Sequence, residues 1–222
     1  MYPKVTKNNK KVLFLSSSYV NMAKLFAQNN IEYDVFLVLD RKFPFYIEDE
    51  ELDNFYVFTF EKRKLFEKFK ESYFDNLGIY VNQFEPDFII CNNYTKLLTK
   101  SFLDFLSFTN PNIIILNIHH GDLRIKDDKG NMVFAGLKSD IKEFLEEAMI
   151  ISTIHLIQDE NIDTGKALVY SHETTLKELK QKGYISSKEC ILNYRLRNVI
   201  ISYHERTKVL NLLKKVILNL KF

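Results

Sequence analysis

Two polar side chains close the most apolar run of this chain. Residues 112–118 read Asn-Ile-Ile-Ile-Leu-Asn-Ile, and His119 follows directly. Asn117 and His119 are two positions apart, so both side chains point to the same face of a strand. An amide that donates hydrogen bonds and an imidazole that exchanges protons can stabilise developing negative charge and move a proton. The alternative interpretation is that backbone groups of a loop form hydrogen bonds with both side chains, which would then have no catalytic role.

A second polar segment follows another strand-like run. Residues 152–157 lead into the polar loop 158–166, where Asp163 stands just before Thr164 and Gly165. In open α/β sheets, ligands bind beyond the carboxyl ends of the strands. Asn117, His119 and Asp163 therefore form an acid/base set delivered from two strand ends. Asp-Thr-Gly alone also occurs as an ordinary turn.

The elements that must position these residues alternate between strands and helices. Apolar runs predict strands, and amphipathic spacing predicts helices, in the order of an open, mostly parallel sheet of the α/β class with helices on both faces. The predicted strands are 12–15, 35–39, 56–60, 87–91, 112–118, 152–157 and 167–170, and the predicted helices are 64–83, 97–108 and 138–148. A hairpin tip is expected at 127–131. We expect one catalytic domain at 1–171 and a helical C-terminal extension at 172–222, packed on that domain or forming a homodimer contact.

Composition excludes several classes of protein. The 222 residues are 46% hydrophobic and 27% charged with a net charge of +2, which is globular and offers no overall field for nucleic acid. All six glycines lie at or after Gly78, which excludes a glycine-rich nucleotide loop near the N-terminus. Two cysteines fit a reducing compartment. The absence of an 18-residue apolar run or an apolar leader predicts a cytoplasmic protein without a membrane span.

Charge is distributed unevenly along the chain. The last 51 residues carry 11 Lys and Arg against 4 Asp and Glu, a net of +7, so the first 171 residues carry −5. A solvated basic helix face explains this bias, and so would attraction of a phosphorylated substrate. A protein-interaction module built on these basic helices is a further hypothesis with no other support.

The order of these motifs resembles the formyltransferase family. The chain shows Asn-Ile-His at 117–119, Gly136-Leu137, Thr-Ile-His-Leu-Ile at 153–157 and Asp-Glu-x-x-Asp-Thr-Gly at 159–165. The resemblance implies transfer of a formyl group from 10-formyltetrahydrofolate to an amine, with Asn117, His119 and Asp163 as catalytic residues. It implies that Asn117 donates to the formyl oxygen, that His119 stabilises the charge or moves the amine proton, and that Asp163 holds a water or the histidine.

The resemblance also implies a donor-binding site. Residues 86–99 are similar to the family's buried strand and folate-contacting loop, and the segment from Leu156 to Asp163 would form the opposite wall. The implied donor-binding residues are Lys96, Leu97, Leu98, His155, Ile157, Gln158 and Asp159. No metal is implied: His119, His120 and Asp122 imitate a metal cluster but lack a further ligand at helical spacing.

Departures from the family's pattern fall on the acceptor side. Where the family has Pro-x-Leu-Leu-Pro, this chain has His120-Gly121-Asp122-Leu123-Arg124, and the stretch that follows is longer. The first turn is Ser16-Ser17-Ser18 in place of a glycine-rich phosphate loop, and hydroxyls at a helix N-terminus can still bind phosphate. We therefore assign acceptor binding to two groups, which are Ser16, Ser17 and Ser18, and His120, Asp122 and Arg124.

These departures leave the acceptor open. A nucleotide-linked amino sugar is the first hypothesis, and glycinamide ribonucleotide is the alternative. Only about fifty residues follow the catalytic region, which disfavours a tRNA acceptor because a second domain would be needed. The expected partner is thus a small-molecule amine, with neither nucleic acid nor membrane. A non-catalytic folate- or nucleotide-binding module on the same fold is the interpretation from another class.

Overall fold

The computed structural model describes residues 9–17, 21–40, 52–60 and 63–220, and all structural statements concern these residues. The strands are β1 (Lys10–Ser16), β2 (Tyr33–Leu39), β3 (Phe55–Thr59), β4 (Phe88–Asn92), β5 (Ile114–His120), β6 (Met149–Ile150), β7 (Ser152–Leu156), β8 (Ala167–Tyr170) and β9 (Thr174–Thr175). The helices are α1 (Asn21–Asn29), α2 (Arg63–Lys68), α3 (Lys70–Asn82), α4 (Lys100–Thr109), α5 (Ser139–Glu147), α6 (Leu176–Gln181), α7 (Tyr194–His204) and α8 (Leu210–Asn219). A 3₁₀ helix spans Lys188–Leu192, and a π-helical segment, Glu205–Val209, joins α7 to α8.

Seven strands form an open sheet in the order β3-β2-β1-β4-β5-β7-β8. The pairs β1–β2, β2–β3 and β1–β4 are parallel, and β8 is antiparallel to β7 at the sheet edge. The predicted α/β class and mostly parallel sheet are confirmed. The strand order reverses direction between β1 and β4, and such a switch point is where open α/β sheets place their ligands.

Some strands of the sheet are buried along their whole length. All seven residues of β2 and all five of β4 are buried. Strands of a parallel sheet covered by helices on both faces carry near-continuous apolar runs, whereas half-exposed strands alternate. The sheet class was therefore predictable from these runs alone.

The chain forms two compact units that are discontinuous in sequence. The first comprises Met1–Leu116 and Leu156–Gly165, and the second comprises Asn117–His155 and Lys166–Phe222. Aromatic and aliphatic side chains, among them Phe36, Phe74 and Phe102, form the core of the first unit. In the second unit, Ile200 and Ile201 of α7 share a core with residues 144 and 150. The division expected between residues 171 and 172 stays a prediction.

Two helix boundaries differ from the sequence expectation. The single helix expected over 64–83 is wrong, because the backbone at Phe69 leaves the helical conformation with φ −143° and ψ 78°. The break lets the Phe66 ring pack edge-on against Tyr73, with ring centroids 5.2 Å apart. The helix expected from residue 97 begins at Lys100, because Thr99 caps it by accepting a hydrogen bond from the backbone N–H of Phe102.

The hairpin predicted after β5 is present in the structure. The hairpin tip at 127–131 is confirmed: a bridge pairs Lys126 with Met132, and the Asp127 carboxylate accepts the backbone N–H groups of Lys129 and Asn131. Within residues 9–17, 21–40, 52–60 and 63–220, no helix combines the length and the hydropathy needed to cross a bilayer.

Candidate active site

Asn117 and His119 lie on one face of β5, in the second unit. Asn117 is half-buried and His119 is 7% exposed. The side-chain nitrogen of Asn117 lies 3.1 Å from Nε2 of His155 on β7. Because an amide nitrogen only donates, Nε2 of His155 must accept, which fixes the His155 tautomer with its proton on Nδ1. One of the two amide hydrogens of Asn117 is used in this bond, and the bond orients the amide.

The backbone of a later loop fixes the His119 ring through a hydrogen bond. Its Nε2 lies 2.6 Å from the carbonyl oxygen of Phe134. A carbonyl only accepts, so His119 carries a proton on Nε2. Gly121 makes this arrangement possible, because a Cβ there would lie 2.4 Å from that carbonyl oxygen and 2.7 Å from Nε2 of His119.

The segment after β5 is fixed by buried carboxylates. Asp122 forms a bidentate ion pair with Arg124, whose guanidinium lies 4.5 Å from the centroid of the Tyr170 ring. Burial pushes the pKa of Asp122 upward, but the hydrogen bonds and charge of Arg124 outweigh it and leave that pKa below its ordinary value. The fully buried Glu143 carboxylate accepts the backbone N–H groups of Asp122 and Ile151 at 3.3 and 3.1 Å.

His120 points to the opposite face of β5 from His119, as strand alternation requires. Its ring is 7% exposed, with Nδ1 2.7 Å from Oγ of Ser152 and Nε2 3.2 Å from Oε1 of Glu205. The assignment of His120, together with Asp122 and Arg124, to the acceptor side stays a prediction.

A polar cluster lies at the switch point of the sheet, in the first unit. The hydroxyl of Ser17, after β1, donates to the carboxylate of Asp40, after β2, at 2.8 Å. The backbone N–H of Thr95 donates to the same hydroxyl at 3.0 Å, and the ammonium of Lys96 pairs with Asp40. Ser16 is buried at the end of β1, where its carbonyl accepts the backbone N–H of Asp40. Ser18 lies outside the described residues.

Lys96 sits among aromatic rings. Its ammonium lies 5.1, 5.4 and 5.6 Å from the ring centroids of Phe66, Tyr73 and Tyr94. Burial lowers the pKa of Lys96 to about 8. The aromatic rings stabilise the Lys96 cation, and the Asp40 carboxylate neutralises its charge. The Lys96–Asp40 ion pair thus lies among these rings at the ends of β1, β2 and β4.

The two segments assigned to the donor also belong to the first unit. Leu98 is buried in its core, whereas Leu97 is 39% exposed just before the Thr99 cap. The backbone N–H of Ile157 donates to the carbonyl of Ile115, which fixes the start of the loop after β7. Gln158 is exposed in the same loop.

Asp159 organises the loop that leads to Asp163. Its carboxylate accepts the backbone N–H of Asn161 at 2.9 Å and the hydroxyl of Thr164 at 3.1 Å. The Asn161 bond is the main cause of a pKa of Asp159 below the ordinary value. Asp163 is half-buried and has φ 54°, a left-handed conformation that non-glycine residues rarely adopt.

The structure thus brings Asn117, His119 and His155 together in the second unit, and Ser17 and Lys96 together in the first. Sequence reasoning missed Asp40, although a carboxylate directly after a buried strand is a recognised position for a ligand contact. It also missed Glu205, for which no local pattern gives a signal. Among the described residues, no group of three His, Cys, Asp or Glu side chains has the arrangement of a metal site.

Comparisons with known proteins place this arrangement in a known fold. No protein-family model and no curated protein matches the chain. Among solved structures, phosphoribosylglycinamide formyltransferase from Bacillus halodurans aligns with a TM-score of 0.62 and 20% identity, covering 93% of this chain and 97% of that one. Glycinamide ribonucleotide transformylase 1 from Symbiobacterium toebii aligns with a TM-score of 0.57 and 14% identity, covering 89% and 87%.

A third structure agrees with these two. Phosphoribosylglycinamide formyltransferase from Coxiella burnetii, solved in complex with CHES, aligns with a TM-score of 0.56 and 13% identity over 90% of this chain and 82% of that one. The chain has the formyltransferase fold, as the motif order predicted.

Proposed function

We propose that this protein transfers a formyl group from 10-formyltetrahydrofolate to a primary amine. One observation carries the proposal: Asn117 and His119 lie on the same face at the end of β5, each oriented by a hydrogen bond, within a formyltransferase fold. Transfer needs a donor to the formyl oxygen and a group that takes up the proton of the attacking amine. An oriented amide beside an imidazole meets both needs.

Asn117 is the proposed hydrogen-bond donor to the formyl oxygen. His155 fixes the amide plane by accepting one of its hydrogens, so the group does not need to reorganise when negative charge develops. A preorganised donor of this kind stabilises the reacting oxygen more than water does, and removing one costs roughly a hundredfold or more in turnover.

His119 is the proposed proton acceptor. The carbonyl of Phe134 accepts from its Nε2, and this bond orients the ring that we propose takes up the amine proton. After the proton transfer, the ring is an imidazolium that stabilises developing negative charge nearby. We also propose a role in proton transfer for Asp163, whose left-handed backbone is the kind of strained conformation found at functional sites.

The described residues of the first unit fit the implied donor. The donor would supply the formyl carbon and a flat ring system. Leu97 and Ile157 offer apolar contacts for such rings, and the loop held by Asp159 offers backbone groups for its polar edge. We propose these residues, with Lys96, Leu98 and Gln158, as donor-binding residues, together with His155.

For the acceptor we propose a nucleotide-linked amino sugar. The hydroxyls of Ser17 and Thr95 and the carboxylate of Asp40 lie at the switch point of the sheet, and such groups suit a ligand with many hydroxyls. Glycinamide ribonucleotide is the second candidate, because three of the solved structures with this fold are named for transformylation of that substrate.

The test is incubation of the full-length protein with 10-formyltetrahydrofolate and a panel of amines. The panel contains amino-sugar nucleotides and glycinamide ribonucleotide, and release of tetrahydrofolate is the readout. We expect release with at least one amino-sugar nucleotide. Release only with glycinamide ribonucleotide would select the second candidate, and folate binding without release would favour a non-catalytic binding module.

Variants separate the site from the fold. His119→Ala and Asn117→Ala should each lower turnover by at least about a hundredfold, the usual contribution of a catalytic acid, base or oxyanion donor. His172→Ala is the matched control, because His172 is an exposed histidine of the same unit outside the proposed site. Near-normal turnover of His119→Ala would remove that residue from the mechanism.

A further inference from the structure

A buried chain of hydrogen bonds connects the end of β5 to the last residue of α7 and the first residue of the π-helical segment, all within the second unit. It runs from Glu205 through His120 and Ser152 to His204, with the successive contacts at 3.2, 2.7 and 2.9 Å. Exposure of the four residues is 1%, 7%, 0% and 0%. Buried polar groups of this kind cost stability unless every member is satisfied, so such a network is specific in its geometry.

The contacts of His204, at one end of this hydrogen-bond network, fix which group donates in each bond. The Ser171 hydroxyl donates to the carbonyl of His172 at 2.9 Å, so Nε2 of His204 must supply the hydrogen in its 3.3 Å contact with Ser171. Burial lowers the pKa of His204 to about 3, so the ring is neutral and has one proton. Its Nδ1 therefore accepts from the hydroxyl of Thr174 at 2.8 Å.

The near end follows from the same logic. Because Nε2 of His204 also donates to the Ser152 hydroxyl, that hydroxyl turns its own hydrogen toward Nδ1 of His120. His120 then carries its proton on Nε2 and donates it to the carboxylate of Glu205. Each donor of the network therefore donates toward Glu205, and a single arrangement of the protons satisfies every donor and acceptor in it.

The backbone around Glu205 is unusual. Glu205 begins the π-helical segment, in which the N–H of Leu210 bonds to the Glu205 carbonyl five residues earlier. Such segments are rare, and they occur frequently at functional sites. Here the segment begins at the residue that holds His120, which follows His119 directly in β5.

We propose that Glu205 is a positioning residue, which through His120 fixes the end of β5 and so the orientation of His119. This inference rests on the function proposed above. The two imidazoles lie on opposite faces of β5, so anchoring His120 to the π-helical segment holds the strand backbone that presents the His119 ring to the Phe134 carbonyl. The hydroxyl of Ser139, which donates to the carbonyl of His120 at 2.7 Å, holds the same residue from the backbone side.

The experiment compares two glutamate variants of the full-length protein labelled with ¹⁵N-histidine. Glu205→Gln keeps the shape of the side chain and an oxygen that can accept from His120, but it removes the negative charge that strengthens this hydrogen bond. Glu178→Gln is the matched control, because Glu178 bonds Tyr203 and Lys208, which flank Glu205, without touching the network. The Nε2–H resonance of His119 is identified by its loss in His119→Ala.

We expect Glu205→Gln to speed exchange of the His119 Nε2 proton with water by about tenfold or more, as local opening of a buried bond requires. Turnover should fall by about tenfold while KM for 10-formyltetrahydrofolate changes less than about twofold, which marks loss of positioning and not of binding. Glu178→Gln should leave both quantities unchanged. Ser152→Ala should repeat the effect, and it serves as the readout if Glu205→Gln fails to fold.

Two results separate failure of the inference from failure of the proposed function. Unchanged exchange of the His119 proton in both Glu205→Gln and Ser152→Ala would overturn the positioning role, whatever the activity. Faster exchange in these variants, combined with no tetrahydrofolate release by the wild type with any amine, would support the positioning of His119 and reject formyl transfer.

Discussion

Replacing Gly121 with alanine tests the geometry that holds His119. The new Cβ would lie 2.4 Å from the Phe134 oxygen and 2.7 Å from Nε2 of His119, the same two atoms that form the 2.6 Å hydrogen bond. Ordinary van der Waals contact begins near 3.4 Å, so the carbonyl must retreat by about 1.0 Å (3.4 minus 2.4). The hydrogen bond cannot survive such a displacement with its present geometry.

The magnitude follows from two costs. A buried group that loses its hydrogen bond costs about 1 to 3 kcal/mol. Overpacking adds a cost of similar size. We expect Gly121→Ala to lower the free energy of unfolding by about 3 kcal/mol, which for a chain of this length lowers Tm by roughly 6 to 12 °C. Differential scanning calorimetry measures the shift, and the His119 Nε2–H resonance should be lost.

Gly130→Ala is the matched control. Gly130 has φ 82° and no atom within 4 Å of the position a Cβ would take, so alanine there meets only backbone strain. That strain costs about 1 to 2 kcal/mol and should leave the His119 resonance in place. A Gly121→Ala protein with wild-type Tm and an unchanged His119 resonance would refute the argument that close approach at Gly121 holds the histidine.

Three further predictions concern titration and ion pairing. Burial raises the pKa of Glu143 from 4.5 to about 7, outweighing its two backbone donors, so the folded state retains this proton longer than the unfolded state. The contribution of Glu143 to stability should therefore fall by about 3 kcal/mol as pH rises from 4.5 to 7, and Glu143→Gln should remove that contribution in urea unfolding across this pH range. Hydrogen bonds from the backbone lower the pKa of Cys190 to about 7, whereas burial raises the pKa of Cys91 to about 12. Because the thiolate is the reactive form, iodoacetamide at pH 7.5 should alkylate Cys190 first. A peptide map in which Cys91 is modified first would contradict this expectation. Arg197→Met should cost about 2 to 3 kcal/mol in chemical unfolding because it leaves the buried carboxylate of Asp140 without its bidentate partner, and a loss below about 0.5 kcal/mol would contradict the ion pair's role.

The fold could be predicted because several of its strands carry near-continuous apolar runs. The run at 35–39 has no alternation, which only a strand covered on both faces tolerates, and it lies within β2. The break at Phe69 could not be predicted, because the apolar spacing of the sequence continues through it without interruption.

Only the site residues that lie close together in the sequence could be predicted. Asn117 and His119 are two residues apart, so strand alternation was enough to place them on one face. The contact of Asn117 with His155 joins positions 38 residues apart, and the bond of His120 to Glu205 joins positions 85 apart. Neither separation leaves a periodic trace, so such partners come from tertiary structure alone.

The π-helical segment between α7 and α8 also sets the phase of the C-terminal stripe, which consists of the buried apolar side chains Val209, Leu210, Leu213, Val216 and Ile217. A regular helix that buries Ile201 and His204 would bury position 208 and expose position 209, since neighbours on one face lie three or four residues apart. In the structure Val209 is buried, while Lys208 lies on the outer side and pairs with Glu178. Relative to a regular helix continued from α7, the C-terminal stripe is thus displaced by one residue, and one residue is the length that a π segment adds. A helix one residue shorter would bury the same apolar side chains with regular bonding. The added residue therefore contributes nothing to the apolar stripe, and what it alters is the backbone that presents Glu205.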